Sequence, residues 1–154
     1  MTVPSEYRCA SAEFDNLLAE VAREADLTTS HQAYTTLQGV LLAFRKRLSL
    51  EEAIVFAQVL PPLVRALFVM DWDPQVPKEA VGHRSSWTRD VQKLRINHNI
   101  SPTSAIENVV TVLRRHVDPE TFESCLGKLP DFAKVFWAVP IEKQDAPVQA
   151  LDLK

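Results

Sequence analysis

The residues best suited to metal binding or nucleophilic catalysis are four histidines and two cysteines, and they are scattered along this chain of 154 residues. Zinc sites and zinc-protease motifs place two ligands within about four residues of each other, as in Cys-x-x-Cys or His-Glu-x-x-His. No pair with that spacing occurs among the histidines at 31, 83, 98 and 116 and the cysteines at 9 and 125. The three glycines are too few to build a dinucleotide-binding or phosphate-binding loop. The sequence therefore predicts neither a metal ion nor a cofactor.

A thiol activated by a histidine is the nearest approach to a catalytic pair. Cys125 is the only thiol expected in a helix that neighbours a histidine-bearing helix, the one that carries His116. Because His116 ends one predicted helix and Cys125 lies two turns into the next, an antiparallel arrangement separates them by about 10 Å. Activation of a thiol requires a base within hydrogen-bonding distance. We therefore predict inert cysteines, no catalytic residues and no enzymatic activity.

The apolar residues that must form the scaffold recur every three or four positions and seldom alternate with polar residues, which predicts an all-α fold. In the first half, helices are expected after Ser11, after a cap-rich polar segment, and after Ser49, which makes a capping box with Glu52. Pro61 has no amide hydrogen and restricts the residue before it, so the third helix should end there. Pro62 can then lie in the first turn of a short fourth helix.

The second half repeats this pattern. A shift of 73 positions places Trp87 on Phe14, and a shift of 69 positions places Pro130 on Pro61. The pairs Ser-Pro at residue 101 and Asp-Pro at residue 118 each offer a helix cap followed by proline in the first turn. The segment "GKLPDFAKVFW" should therefore turn a third helix into a short fourth one, as "AQVLPPLVRALF" does in the first half.

These patterns predict one helical domain, a bundle of about eight helices. The domain spans residues 11–138 and consists of two similar four-helix units, at 11–73 and 85–138. Residues 1–10 form an N-terminal segment, and residues 139–154 form a C-terminal tail with two prolines and no helical stripe. The composition supports a packed core, because 46% of the residues are apolar.

Several segments recur in corresponding places of the two units. The first unit carries "RLSLEEA" and "VLPPLVRAL", and the second carries "VLRRHV" and "KLPDFAKVF". The other matching positions are Phe14, Val21, Ala33 and Leu41 in the first unit and Trp87, Leu94 and Ala105 in the second. Paired units of this form resemble the bacterial family known as Domain of Unknown Function 2267. The resemblance implies an all-helical tandem repeat with no assigned activity, and hence no catalytic or binding residues to transfer.

The two units disagree where the second carries polar residues in place of apolar ones, and these residues form a candidate polar cluster. The replacements are Asp90 for Leu17, Arg95 for Ala22, His98 for Ala25 and His116 for Phe44. Either this helix is less buried, so that Asp90, Lys93 and Arg95 form solvated ion pairs, or it lines a polar cleft near the two histidines. His116 itself is either a histidine at the edge of the core, bonded to a carbonyl, or a ligand or acid–base group.

Charge is distributed unevenly, although the formal net charge is only −3. Residues 84–116 carry six Lys and Arg against two acidic residues, whereas residues 1–74 carry six against ten. A basic surface could contact nucleic acid or an acidic protein, and a basic half could also associate with the acidic half of a second copy. Because the net charge is negative and no helix-turn-helix signature is present, nucleic acid is not expected. We expect a protein partner or self-association.

Trp72 and Trp137 end the two units and are candidate anchors for a partner, since exposed tryptophan is favoured in binding hot spots. Alternatively, each attaches its last short helix to the core. No apolar run reaches the roughly 18 residues of a membrane span, and the first residues lack the features of a signal peptide. A cytoplasmic protein with no membrane partner is therefore expected.

Three functional hypotheses follow. The favoured one is a non-enzymatic interaction or regulatory module, because apolar signature residues abound while catalytic ones are missing. The alternative is a helical pocket for an apolar or cofactor-like small ligand, which requires an enclosed cavity bordered by His116 or His98. An enzyme comes third, since it requires polar groups that converge in a cleft.

Overall fold

The computed structural model describes residues 2–94 and 101–140. Within those residues every regular element is helical, which confirms the all-α prediction. The elements in chain order are α1 (Ser5–Arg8), α2 (Ala10–Glu24), α3 (Ser30–Arg45), α4 (Leu50–Ala57), α5 (Pro62–Val69), α6 (Arg84–Lys93), α7 (Ala105–Leu113), a 3-10 turn (Arg114–His116), α8 (Pro119–Gly127) and α9 (Phe132–Phe136). Helix α1 is additional to the predicted set. None of the helices in the described ranges is both long and apolar enough to cross a membrane.

The starts of α3 and α4 in the first half follow local capping rules. Thr29 accepts a hydrogen bond from the amide of Gln32, whose side chain accepts from the amide of Thr29 in return. Ser49 and Glu52 make the predicted capping box at the start of α4, with donor–acceptor distances of 3.2 and 2.7 Å. The cap predicted at Ser11 is wrong, because this residue lies inside α2. Helix α2 starts at Ala10, one residue before Ser11, and the residue that precedes the helix makes no side-chain cap.

Both Leu-Pro segments are corners between helices, as predicted. Helix α4 ends at Ala57, and α5 begins with Pro62 in its first turn. Helix α8 ends at Gly127, and α9 follows Pro130 after one further residue. Each corner uses the missing amide hydrogen of proline to stop one helix before the next begins. The equivalence of the two four-helix units stays a prediction.

The second half departs from the local rules at one helix start. Asp118 caps α8 by accepting hydrogen bonds from the amide and hydroxyl of Thr121, as expected for Asp-Pro. Ser101 does not cap α7, which begins later, at Ala105. Its buried hydroxyl is instead 2.9 Å from the hydroxyl of Thr36 on α3. A contact distant in sequence therefore takes the oxygen that a local rule assigns to a cap.

One apolar core holds the helices together, and α3 lies at its centre because it contacts α2, α5, α6 and α7. The helix can approach α6 closely at Gly39, where a Cβ atom would lie 3.1 Å from the Val91 carbonyl oxygen. Aromatic rings fill the interior, in contacts between ring centroids 4.7 to 6.1 Å apart. The largest fully buried rings are Phe44, Phe56, Phe68, Phe122, Phe136 and Trp137.

Candidate functional site

His116 lies at the end of the 3-10 turn that follows α7. Its Nε2 is 2.6 Å from Oε2 of Glu20, and its Nδ1 is 3.6 Å from Oε1 of Glu13. Only 13% of the His116 side chain is exposed. The ring thus lies at the edge of the core, where it faces two carboxylates of α2 rather than the backbone carbonyl that one of the sequence alternatives expects.

Arg115 joins the same cluster and ties the turn more firmly to α2. Its guanidinium is 3.1 Å from Oε1 of Glu20 and 3.7 Å from Oε2 of Glu24. Burial alone would raise the pKa of Glu20, but the hydrogen bonds from Arg115 and His116 outweigh burial and lower the pKa. Arg115 of the second half therefore pairs with acidic groups of the first half within one chain.

Asp90 makes the ion pair with Lys93 that one sequence alternative expects, at 3.9 Å, and a closer pair that the sequence did not indicate. Its Oδ2 is 2.6 Å from the guanidinium of Arg47, a side chain just after the end of α3 that is only 3% exposed, and 3.5 Å from Nζ of Lys46. Burial would raise the pKa of Asp90, but Arg47 and Lys46 lower it on balance. Arg47 also donates to the carbonyl oxygens of Ala43 and Val81. Asp90 thus neutralises a buried cation between two helices.

The four residues of the candidate polar cluster are not brought together as far as the structure describes them. Asp90 contacts α3, whereas His116 contacts α2, and the two line different depressions of the surface. Arg95 and His98 lie outside the described residues. Within the described ranges, no group of three or more His, Cys, Asp or Glu residues could hold a metal ion.

The two candidate anchors also differ in exposure. Trp137 is 0% exposed and packs among aromatic rings, so its role as a partner anchor is wrong and its indole attaches α9 to the core. Trp72 is partly exposed, with the guanidinium of Arg45 5.2 Å above its ring. Arg45 also donates to the carbonyl oxygens of Phe68 and Met70, which holds this contact at the end of α5.

Three surface depressions join across the first Leu-Pro corner. The first, of about 500 Å³, lies between α4 and α8, and the second, of about 330 Å³, lies at the corner itself. They share Gln58, Val59 and Thr121. The second shares Pro61 and Pro62 with a small third depression between α2 and α5. We call this continuous, solvent-open surface the corner trough.

The floor of the corner trough is apolar and continuous with the core. Phe14, Val55, Val59 and Val117 each pack against the core cluster while remaining partly exposed. The local cause is helix α4, because Ala53, Phe56 and Ala57 occupy its buried face. Val55 of this helix, and Val59 just after it, therefore lie at the boundary between the core and the solvent. The first and second halves of the chain both contribute to the floor.

The rim of the corner trough carries more acidic than basic groups. Its acidic residues are Glu6, Glu13, Asp118 and Glu120, and its basic residues are Arg65 and Lys128. The guanidinium of Arg65 donates to the carbonyl oxygens of Ala57 and Leu60, both at 2.9 Å. That guanidinium therefore caps the corner, and its hydrogen-bonding capacity is directed at the backbone.

Cys125 lines the corner trough but has the character of a packed thiol. Only 4% of the residue is exposed, and its Sγ lies 3.6 Å from the carbonyl oxygen of Val55. Burial raises the pKa of the thiol, and the nearby charge of Lys128 offsets this only in part. The protonated form is therefore favoured, which is the opposite of what a nucleophile requires.

Sequence reasoning identified the corner and His116 but missed the corner trough. A local signal was present, because Val55 of α4 and Val59 just beyond it stand four residues apart and outside the stripe of buried residues on that helix. The two carboxylates opposite His116 had no such signal, since Glu20 is separated from it by 96 positions.

The chain was also compared with known proteins. A family model with the description "Uncharacterized conserved protein (DUF2267)" matches residues 14–135. No curated protein matches the chain. The matched region begins at Phe14 in the floor of the corner trough and includes both Leu-Pro corners.

Proposed function

The chain belongs to the family of uncharacterized conserved proteins DUF2267, and since that membership supplies no activity, we propose from the geometry that the protein is a non-enzymatic interaction module. Its ligand is an apolar segment of a partner protein, and its binding surface is the corner trough.

The observation that carries this proposal is the continuity of the corner trough. Three depressions share lining residues, and partly exposed apolar side chains that belong to the core form their floor. Scattered apolar residues are ordinary on a protein surface, but contiguous apolar grooves with polar rims mark binding surfaces. A groove of this kind receives the apolar face of a partner segment.

The state of the reactive groups supports binding rather than catalysis. Both ring nitrogens of His116 face carboxylates, and the buried thiol of Cys125 has a raised pKa. Lys46 and Arg47, just after α3, pair with Asp90. Such pairs perturb pKa values for structural reasons as well as catalytic ones.

An enclosed pocket for a small apolar or cofactor-like ligand has less support. The depression that His116 borders is open to solvent, and aromatic side chains fill the interior beneath it. Small-ligand sites usually enclose most of the ligand surface. His98, the other residue that could border such a pocket, lies outside the described residues.

A displayed library of random peptides, each long enough for about four helical turns, tests the proposal. Peptides selected on the full chain should bind it, and Val59→Glu should weaken binding by at least about tenfold, because it places a charge on the apolar floor. Affinity is measured by fluorescence anisotropy, after circular dichroism has established that the variant is folded.

Ile54→Glu is the matched control. Ile54 lies on α4, a short way before Val59, and is 52% exposed, but it does not line the corner trough. This variant should bind the selected peptides as the unmodified chain does. If the library yields no binder, or if the two variants bind equally well, the corner trough is not the interaction surface.

A further inference from the structure

We propose that the occupant of the corner trough is a positively charged amphipathic helix of a partner protein. This inference rests on the proposed function and adds to it the charge and the conformation of the partner segment. The inference is based on the charges at the rim and on backbone carbonyl groups at the corner that already accept hydrogen bonds.

The acidic groups lie on both sides of the corner trough. Glu6 and Glu13 approach from α1 and α2, whereas Asp118 and Glu120 lie at the start of α8. Glu6, Asp118 and Glu120 are exposed, and the side chain of Glu13 is 36% exposed. An occupant that crosses the trough therefore passes between carboxylates that remain accessible to its side chains.

The positive groups nearby are largely committed to the protein itself. Arg65 donates to two backbone carbonyls, which leaves Lys128 as the other Lys or Arg that lines the trough within the described residues. The positive end of the α8 dipole is offset by Asp118, which caps the helix. The hydrogen bonds from Thr121 lower the pKa of Asp118, so this carboxylate stays ionised. A cationic partner thus meets a complementary rim.

The backbone at the corner favours an occupant with internally satisfied hydrogen bonds. The carbonyl oxygens of Ala57 and Leu60 already accept from Arg65, and no strand edge is present in the described residues. An extended peptide requires backbone partners to replace its lost water, whereas a helix makes those bonds within itself. An amphipathic helix needs only apolar contacts at i, i+3, i+4 and i+7, which the apolar floor can supply.

Three synthetic peptides test the inference against the full chain. They share leucines at helical spacing and carry Lys, Gln or Glu at the polar positions. The Lys peptide should bind at least about tenfold more tightly than the Gln peptide, and the Glu peptide should bind most weakly. The difference should shrink as ionic strength rises from about 0.15 M to about 1 M, because the Debye length falls from about 8 Å to about 3 Å.

A charge variant locates the effect. The double substitution Glu6→Gln and Glu120→Gln should weaken the Lys peptide by about fivefold and leave the Gln peptide unchanged. Glu107→Gln is the control, because Glu107 is exposed on α7 and does not line the corner trough. Equal losses for both variants would mean that the peptide responds to the net negative charge of the protein, and the inference would be wrong.

The outcomes separate the inference from the proposed function. If the Lys and Gln peptides bind equally well and Val59→Glu weakens both, the trough binds apolar segments and only the charge inference fails. If the library yields binders but no helical peptide binds, the conformational inference fails. If sedimentation reveals a dimer whose formation Val59→Glu abolishes, the occupant is a second copy of this chain. If nothing binds, both proposals fail.

Discussion

The two Leu-Pro corners of this protein share a local cause but differ in what surrounds them. The first, which we call the open corner, comprises residues 60–63 and borders the corner trough. The second, the closed corner, comprises residues 129–132 and leads into α9, which is pressed against the aromatic core. In both, proline stops one helix and the next begins within a few residues.

The side chains that follow proline account for the difference. At the closed corner, Phe132 and Phe136 lie 5.6 and 4.9 Å from Phe44 between ring centroids, and Trp137 completes the cluster. At the open corner, Pro62 and Leu63 stay at the surface while only later residues of α5 are buried. The same Leu-Pro turn can therefore belong to the core or border a surface groove, depending on whether the first large side chain after proline is buried or exposed.

The largest expected effect is at the closed corner. Trp137→Ala should lower the free energy of unfolding by about 3 to 5 kcal/mol, because it removes a fully buried ring from an aromatic cluster. Trp137→Phe should lower the free energy of unfolding by less than about 1.5 kcal/mol, because phenylalanine keeps most of the aromatic packing. It also removes the buried indole Nε1, which has no hydrogen-bond acceptor in the described residues. Urea denaturation measures both. A small cost for Trp137→Ala would contradict the closed corner as a part of the core.

An intermediate effect is expected at the open corner. Arg65→Met should lower the free energy of unfolding by about 1 to 3 kcal/mol, because the carbonyl oxygen of Leu60 loses its side-chain donor and that of Ala57 keeps only the amide of Leu60. The exposed Arg89 offers a control, since Arg89→Met should change stability by less than about 0.5 kcal/mol. Equal denaturant midpoints for these two variants would contradict the claim that Arg65 stabilises the open corner.

The smallest effect depends on pH and concerns Glu20, whose partner His116 lines the corner trough. Folding lowers the pKa of Glu20 from its ordinary value of 4.5, so the stability from this carboxylate is fully present above about that pH. It is lost as pH falls through the lower pKa of the folded state. Glu20→Gln should therefore be less stable than the unmodified chain at pH 7, and this difference should shrink as the solution is acidified below 4.5. Calorimetry at several pH values measures the difference, which should stay constant if Glu20 has no charged partner.

The elements set by neighbouring residues could be predicted from the sequence. Capping between Ser49 and Glu52 acts over three positions, and proline acts on its own turn, so both were readable locally. The partners of polar residues were not, because they depend on how helices distant in sequence pack. Asp90 and Arg47 are 43 positions apart, and their pairing was in neither sequence alternative for Asp90.

The burial of Trp137 was uncertain for the same reason. Its sequence position, at the end of a short helix, is equally compatible with an anchor and with a core residue, and only the surrounding rings decide between them. The corner trough is a further step removed, since its walls come from α2, α4, α5 and α8 together. The local sequence pattern could indicate that Val55 and Val59 are partly exposed, but it could not indicate the groove that they line.

Because Thr121 of α8 lies beside Gln58 and Val59 in the turn after α4, the corner trough exists only when distant parts of the chain have come together. A ligand that fills it binds the native state and not the unfolded chain. Occupancy and folding are then thermodynamically linked, and a ligand at 100 times its dissociation constant raises the unfolding free energy by about 2.7 kcal/mol. The partner would thereby stabilise the native state, and its dissociation would leave the protein more susceptible to proteolysis.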